Sequence, residues 1–136
     1  MTGTEREFID RIRRTASQTR PGGLVQGIGD DCAVFTAADD QTAWLVTTDA
    51  LVEGVHFDPS WHSWHLIGRK AASVNLSDIA AMGGQPLYAL LTVALPEISS
   101  SCIESFLAGF NEVLSQHETA LVGGDTVRSL RDASFN

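Results

Sequence analysis

The run Leu87-Tyr88-Ala89-Leu90-Leu91-Thr92-Val93-Ala94-Leu95 is almost continuously apolar and is closed by Pro96. It is short for a helix and lacks polar alternation, so it reads as a buried strand. Ser101-Cys102-Ile103-Glu104 then has the form of a helix capping box. Beyond it Ile103, Phe106, Leu107, Phe110, Val113 and Leu114 recur at helical spacing, the cleanest amphipathic pattern in the chain. Ala120 to Gly123 reads as a short strand with Asp125 at its exit. An apolar strand, an amphipathic helix and a second strand need one shared core, and this stretch sets the class for the rest.

Upstream, Leu66, Ile67, Ala71, Val74, Ile79 and Met82 predict a helix from about Ser63 to Met82, stopped by Gly83-Gly84. Val52 to Trp61 reads as irregular. Trp44 to Thr48 is rich in β-formers and reads as a strand running into Asp49. Ala33-Val34-Phe35 is a short apolar segment after the loop-like Gly27-Ile28-Gly29-Asp30-Asp31, and 37–41 reads as a turn. Thr4-Glu5-Arg6-Glu7 is another capping box, opening a helix that ends before Pro21-Gly22-Gly23. The order predicts an α+β fold: a two-layer α/β sandwich with a mixed, mainly antiparallel sheet and helices packed on one face. Thr126 to Asn136 ends at Phe135-Asn136 without a cap or polar tail and reads as an interrupted chain.

The chain has 136 residues, 43% hydrophobic and 19% charged, a composition typical of a globular domain. No apolar run approaches the ~20 residues of a membrane span, and Met1 to Asp10 carries no signal-peptide h-region. Cys32 and Cys102 stand outside any C-x-x-C spacing, so the expected setting is a reducing cytoplasm. The net charge is −8, and residues 21–127 hold two bases, Arg69 and Lys70, against thirteen acids. Nucleic-acid binding needs a basic stripe, which this middle lacks. An anion bound here requires cations between it and the chain.

The acids stand in unusual company. Asp30 and Asp31 lie between glycines and an apolar segment, Asp49 ends a strand, Asp78 lies in an otherwise apolar helix, and Asp125 follows Gly123-Gly124. Carboxylates beside core-forming residues are costly to desolvate unless paired or metal-bound. With few bases to pair them, hard cations such as magnesium are their natural partners. Each also has a plainer reading: Asp30 and Asp31 as turn residues, Asp49 as a cap, Asp78 as a solvent-facing helix residue. Asn75 precedes Asp78 by one helical step and presents a polar patch with it. Glycines at 123 and 124 allow a close backbone approach to a ligand.

His62 and His65 lie among Trp61 and Trp64 with no third ligand nearby and read as packing or surface residues. His117 suits a helix end. The cysteines read as small core residues. His56 follows Glu53-Gly54-Val55 just past Asp49 and stands apart from these. No P-loop, no G-x-G-x-x-G and no nucleophile triad is present.

Four blocks together resemble the thiamine-monophosphate kinases: Gly27-Ile28-Gly29-Asp30-Asp31-Cys32-Ala33-Val34; Thr47-Thr48-Asp49 through Glu53-Gly54-Val55-His56-Phe57; Lys70 through Val74-Asn75-Leu76-Ser77-Asp78 to Met82-Gly83-Gly84-Gln85-Pro86; and Gly123-Gly124-Asp125-Thr126. They occur in the family's order and spacing, and related forms of the third block occur across the superfamily of aminoimidazole ribonucleotide synthetase. The resemblance implies ATP-dependent phosphorylation of thiamine monophosphate to thiamine diphosphate by a cytoplasmic homodimer using magnesium. By motif it implies a magnesium set of Asp31, Thr47, Thr48, Asp49, Asp78 and Asp125, nucleotide contacts at Gly124 and Asp125, and a substrate contact at His56. Asp30 and Asn75 are secondary members.

It implies further that residues 1–136 are the family's N-terminal ATP- and magnesium-binding and dimerisation domain, without its C-terminal domain. Two other readings stand beside it. One is a different ATP-using superfamily member, resembling aminoimidazole ribonucleotide synthetase or selenophosphate synthetase. The other is a non-catalytic nucleotide-binding and dimerisation domain.

Overall fold

The computed structural model describes residues 4–16, 22–36 and 42–136. The turn expected at 37–41, and Pro21, lie outside the described residues. The chain divides into two compact units, residues 1–47 and 48–136.

In the first unit, helix α1 (Glu5–Thr15) starts as its capping box requires. The Glu7 amide donates to Thr4 Oγ1 at 3.3 Å, and the Thr4 amide donates to Glu7 Oε2 at 2.9 Å. Glu5 and Glu7 in the first turn and Arg13 and Arg14 in the last complement the helix dipole. Strands β1 (Leu24–Gln26), β2 (Ala33–Thr36) and β3 (Ala43–Val46) form an antiparallel sheet in that order.

In the second unit, β4 (Leu51–Val52), helix α2 (Trp64–Ala81), β5 (Tyr88–Leu95), helix α3 (Ser100–Gln116), β6 (Ala120–Arg128) and β7 (Ser134–Phe135) build a sheet of order β4-β7-β5-β6. Strand β6 runs parallel to β5, whereas β7 is antiparallel to both of its neighbours. The α+β class is therefore as expected, with mixed and mainly antiparallel pairing, but the strands form two sheets rather than one.

Both long helices pack on one face of the second sheet. Their core joins Ile67, Ala71 and Ala72 of α2, Phe106, Phe110, Val113 and Leu114 of α3, and Leu51, Phe57, Ala133 and Phe135. The Phe106 and Phe135 rings stack with centroids 4.1 Å apart. Ala133 and Phe135 are thus core residues. Ala89, Leu91, Val93 and Leu95 of β5 face this core. The alternate residues do not, and Tyr88 and Leu90 are 66% and 69% exposed. The strand is buried on one face only, a distinction an unbroken apolar run cannot carry.

The helices meet without side chains between them at their crossing. A Cβ on Gly68 would lie 2.0 Å from the Phe106 carbonyl oxygen, and one on Gly109 would lie 2.0 Å from that of His65. Ser63 caps α2 by accepting from the Leu66 amide, and Gly83, at φ +69°, follows its end. Helix α3 is capped by Ser99, which accepts from the Cys102 amide, and not by Ser101 as the S-x-x-E pattern suggested. Ser100 and Ser101 already lie in the first turn, so three consecutive serines shift the cap by two residues.

Replacing Gly68 or Gly109 by alanine is expected to cost more than about 4 kcal/mol, because backbone must move to admit the methyl group. Ser99→Ala, which removes one cap bond, is expected to cost about 1 kcal/mol. Urea unfolding of the three variants checks that order.

Candidate functional site

Asn75 organises the polar end of α2. Its Nδ2 donates to the Ala71 carbonyl one turn back at 3.1 Å, which turns Oδ1 toward the segment before β4. There Oδ1 accepts the Asp49 amide at 2.8 Å. Asp78, one helical step beyond Asn75, is thereby set close enough to Asp49 to act on its ionisation. Crowding by protein atoms pushes the Asp49 carboxyl above the ordinary aspartate range, repulsion from Asp78 adds to this, and His56 opposes it.

His56 lies in the tight turn after β4. Its Nδ1 accepts the Val52 amide at 3.0 Å, so the ring proton of neutral His56 sits on Nε2. Its carbonyl accepts from the Lys70 ammonium of α2. Gly54, at φ +74°, makes this turn possible.

Thr48 donates its hydroxyl proton to Asn136 Oδ1 at 2.9 Å. Asp125 lies within β6, opposite Thr92 of β5, rather than at a strand exit. Its Oδ1 accepts the Thr126 amide at 2.8 Å. Between Leu121 and Gly123 the β5–β6 register slips, and Gly124 adopts φ +151°. A Cβ on Gly124 would lie 1.8 Å from the Leu91 carbonyl oxygen. The neighbouring strand therefore already demands glycine here, a requirement separate from any ligand.

Asp30, Asp31 and Thr47 belong to the first unit. Asp30 is used locally, accepting from the Gln26 side chain and from the Asp31 amide, as a turn residue does. The Thr47 hydroxyl donates to the Asp31 carbonyl at 3.0 Å.

His62 and His65 have structural partners, and His117 is the C-cap residue of α3. His62 Nδ1 accepts the Asp58 amide, and its ring packs on Trp61. His65 pairs with Glu112 at 3.1 Å, and Arg69 binds the same carboxylate. The guanidinium holds the Glu112 carboxyl below its ordinary range. Cys32 is buried and Cys102 half-buried, and neither is in a disulfide. Sequence reasoning missed Thr92 and Asn136, which carry no local motif. It noted Lys70 as a scarce base and as the start of the third block, and gave it no site role.

Among the described residues no group of three or more His, Cys, Asp or Glu side chains is gathered closely enough to hold a metal ion. Magnesium does not require one. It is usually held through one or two carboxylates, with phosphate oxygens and water completing six positions. Asp49, Asp78 and the Thr48 hydroxyl are hard oxygen donors of that kind, and the unfavourable charge on Asp49 is what a cation would relieve. Among the described residues no helix is long and apolar enough to cross a membrane.

The family described as AIR synthase related protein, N-terminal domain, matches residues 29–135. The thiamine-monophosphate kinase of Escherichia coli K12 is 38% identical over 121 residues, covering 89% of this chain and 35% of that protein. A solved structure of AaThiL complexed with AMPPCP and TMP superposes with a TM-score of 0.83 at 35% identity, covering 96% of this chain and 39% of that one. The thiamine monophosphate kinase of Aquifex aeolicus superposes with a TM-score of 0.75 at 30% identity, covering 97% and 40%. The chain spans about a third of the length of the curated relatives it matches.

Because the Asp49 carboxyl titrates above the ordinary value of 3.8, this group's own contribution to the stability of the metal-free fold falls as pH rises from about 3.8 through that higher value. Asp49→Asn mimics the protonated form and removes the loss. Its unfolding temperature should match the parent's below pH 3.8 and exceed it by roughly 2–4 °C at neutral pH. Thermal melts in a chelator across this range check the crossover.

Proposed function

We propose that this chain, which belongs to the AIR synthase related protein family as its N-terminal domain, serves the ATP-dependent phosphorylation of thiamine monophosphate to thiamine diphosphate. The observation that carries the reading is the Asp49–Asp78 pair, in which Asn75 fixes the Asp49 amide and repulsion from Asp78 helps to raise the Asp49 carboxyl above its ordinary range. Such a pair suits a cation that arrives with a nucleotide.

The acceptor is a phosphomonoester, largely dianionic at neutral pH because its second pKa is about 6. Its oxygen can attack without a general base. The new oxygen–phosphorus bond forms at the γ-phosphate as the bond to the β-phosphate bridging oxygen breaks, and ADP leaves with that electron pair. Transfer is direct, with no phosphoenzyme. Magnesium, when bound, offsets the repulsion between the two anions and the charge gathering on the leaving oxygen.

The protein's own groups prepare this arrangement. Asp49 and Asp78 supply the anionic oxygens, Thr48 a neutral one, and Asn75 fixes the Asp49 backbone. Asp125 and Gly124 serve the nucleotide from β6. The Nε2–H of His56 is a donor suited to an oxygen of the acceptor. Asp31 and Thr47, with Asp30 secondary, keep the metal-binding role that their motif implies. Tyr88 and Leu90 on the exposed sheet face support pairing with a second copy, and two cysteines outside any disulfide fit a reducing cytoplasm.

A second reading has its own support. Because the chain spans only about a third of its relatives, it can bind nucleotide and pair as a domain without completing catalysis.

Thiamine diphosphate formation from thiamine monophosphate, ATP and magnesium should fall about 100-fold or more in Asp78→Asn. Product formed equally by parent and variant would overturn the role of the pair. Magnesium-dependent ATP binding without product would favour the second reading.

A further inference from the structure

A threonine hydroxyl has one proton and two lone pairs. To serve as an oxygen ligand it must send the proton away from the cation. Thr48 sends it to Asn136 Oδ1, at 2.9 Å. Asn136 is in turn fixed by its backbone rather than its side chain. Its amide donates to the Thr92 carbonyl at 2.9 Å, and its carbonyl accepts the Thr92 amide at 2.6 Å. Thr92 stands opposite Asp125 on β6. Asn136, Thr92 and Asp125 therefore form one row across three neighbouring strand positions, spaced about 4.8 Å apart. The row lies on the sheet face away from the helices, since Val93 and Phe135, the next residues along, belong to the core side.

We infer that Asn136 is a positioning residue that turns the lone pairs of Thr48 toward a divalent cation and fixes Thr48 in the row that carries Asp125. This rests on the proposed metal role of Thr48. It adds a residue for which no motif gives a role, acting through Thr48 rather than touching the ion. The carboxamide oxygen alone does this work, so aspartate at 136 retains the function and alanine loses it. The strand pairing, made by backbone atoms, is indifferent to either change.

The test is Mn2+ binding in the presence of AMPPCP, followed by the loss of the free-ion electron paramagnetic resonance signal. It uses residues 1–136 with Asn136→Ala, Asn136→Asp, Thr48→Val, the Asn136→Ala/Thr48→Val double variant and Asp78→Asn. Metal-free unfolding temperatures are measured alongside. Asn136→Ala should weaken binding about 10-fold, Asn136→Asp should hold parental affinity or better, and the double variant should bind like Thr48→Val alone. Additive losses in the double variant would overturn action through Thr48. So would an unaltered Asn136→Ala beside a weakened Thr48→Val, or an Asn136→Asp as weak as alanine. If Thr48→Val binds normally while Asp78→Asn does not, this inference fails and the carboxylate-pair reading stands. If the parent does not bind Mn2+, both fail.

Discussion

The contact between Gly68 and Gly109 governs the second unit. Two helix backbones touch there, and neither position admits even a methyl group. Close approach without intervening side chains fixes both the separation of the helices and the rotation of each about its axis. With Gly68 held against α3, Ile67, Ala71 and Ala72 must point into the core, and the polar residues that follow emerge at the far end of the helix. Arg69 and His65 bracket the crossing and share Glu112 across it, so the one strongly paired base in the acidic middle serves helix docking. Lys70 is left to hold the turn that carries His56.

From that geometry the polar end of α2 acquires its chemistry. Asn75 satisfies its own helix with one end of its amide and the Asp49 backbone with the other, so the segment before β4 is set against a rigid element. Two carboxylates are brought close enough for Asp78 to oppose the ionisation of Asp49. A fold optimised for stability alone would not place Asp49 beside Asp78, and locally unfavourable charge of this kind is characteristic of sites prepared for a ligand. In the proposed function, the Thr48–Asn136 bond and the Asp125 row extend this arrangement across the sheet.

Local chemistry was readable in the sequence wherever it depended on local residues. The capping box of Thr4 and Glu7, the apolar period of α2 and α3, and the glycine stop after Met82 all involve groups within a few positions of one another. The shift of the α3 cap to Ser99 escaped because three adjacent serines satisfy the same pattern. Pairing between distant segments was less accessible. Nothing near Ser134 and Phe135 marks them as a strand between β4 and β5, and nothing in the apolar run of β5 says that one face is uncovered. The closeness of Asn75 to Asp78 was readable from their helical spacing, whereas the approach of Asp49 to that end of α2 was not. Nor were Asn136 and Thr92, because their significance arises only when β7 and β6 flank β5.

The position of β7 also has a consequence in time. It is the last of the described strands in sequence but sits second in its sheet, where Glu53 binds Ala133 through backbone and side chain across 80 residues. During synthesis β4 emerges long before its partner. At usual elongation rates of ~5–20 residues per second, the interval is roughly 4–16 s. Through that interval Leu51, Phe57 and the inner face of α2 lack the Phe135 ring that completes their core. The nascent chain therefore carries an open apolar surface whose closure waits on Phe135, and it offers a holding chaperone a defined window in which to act.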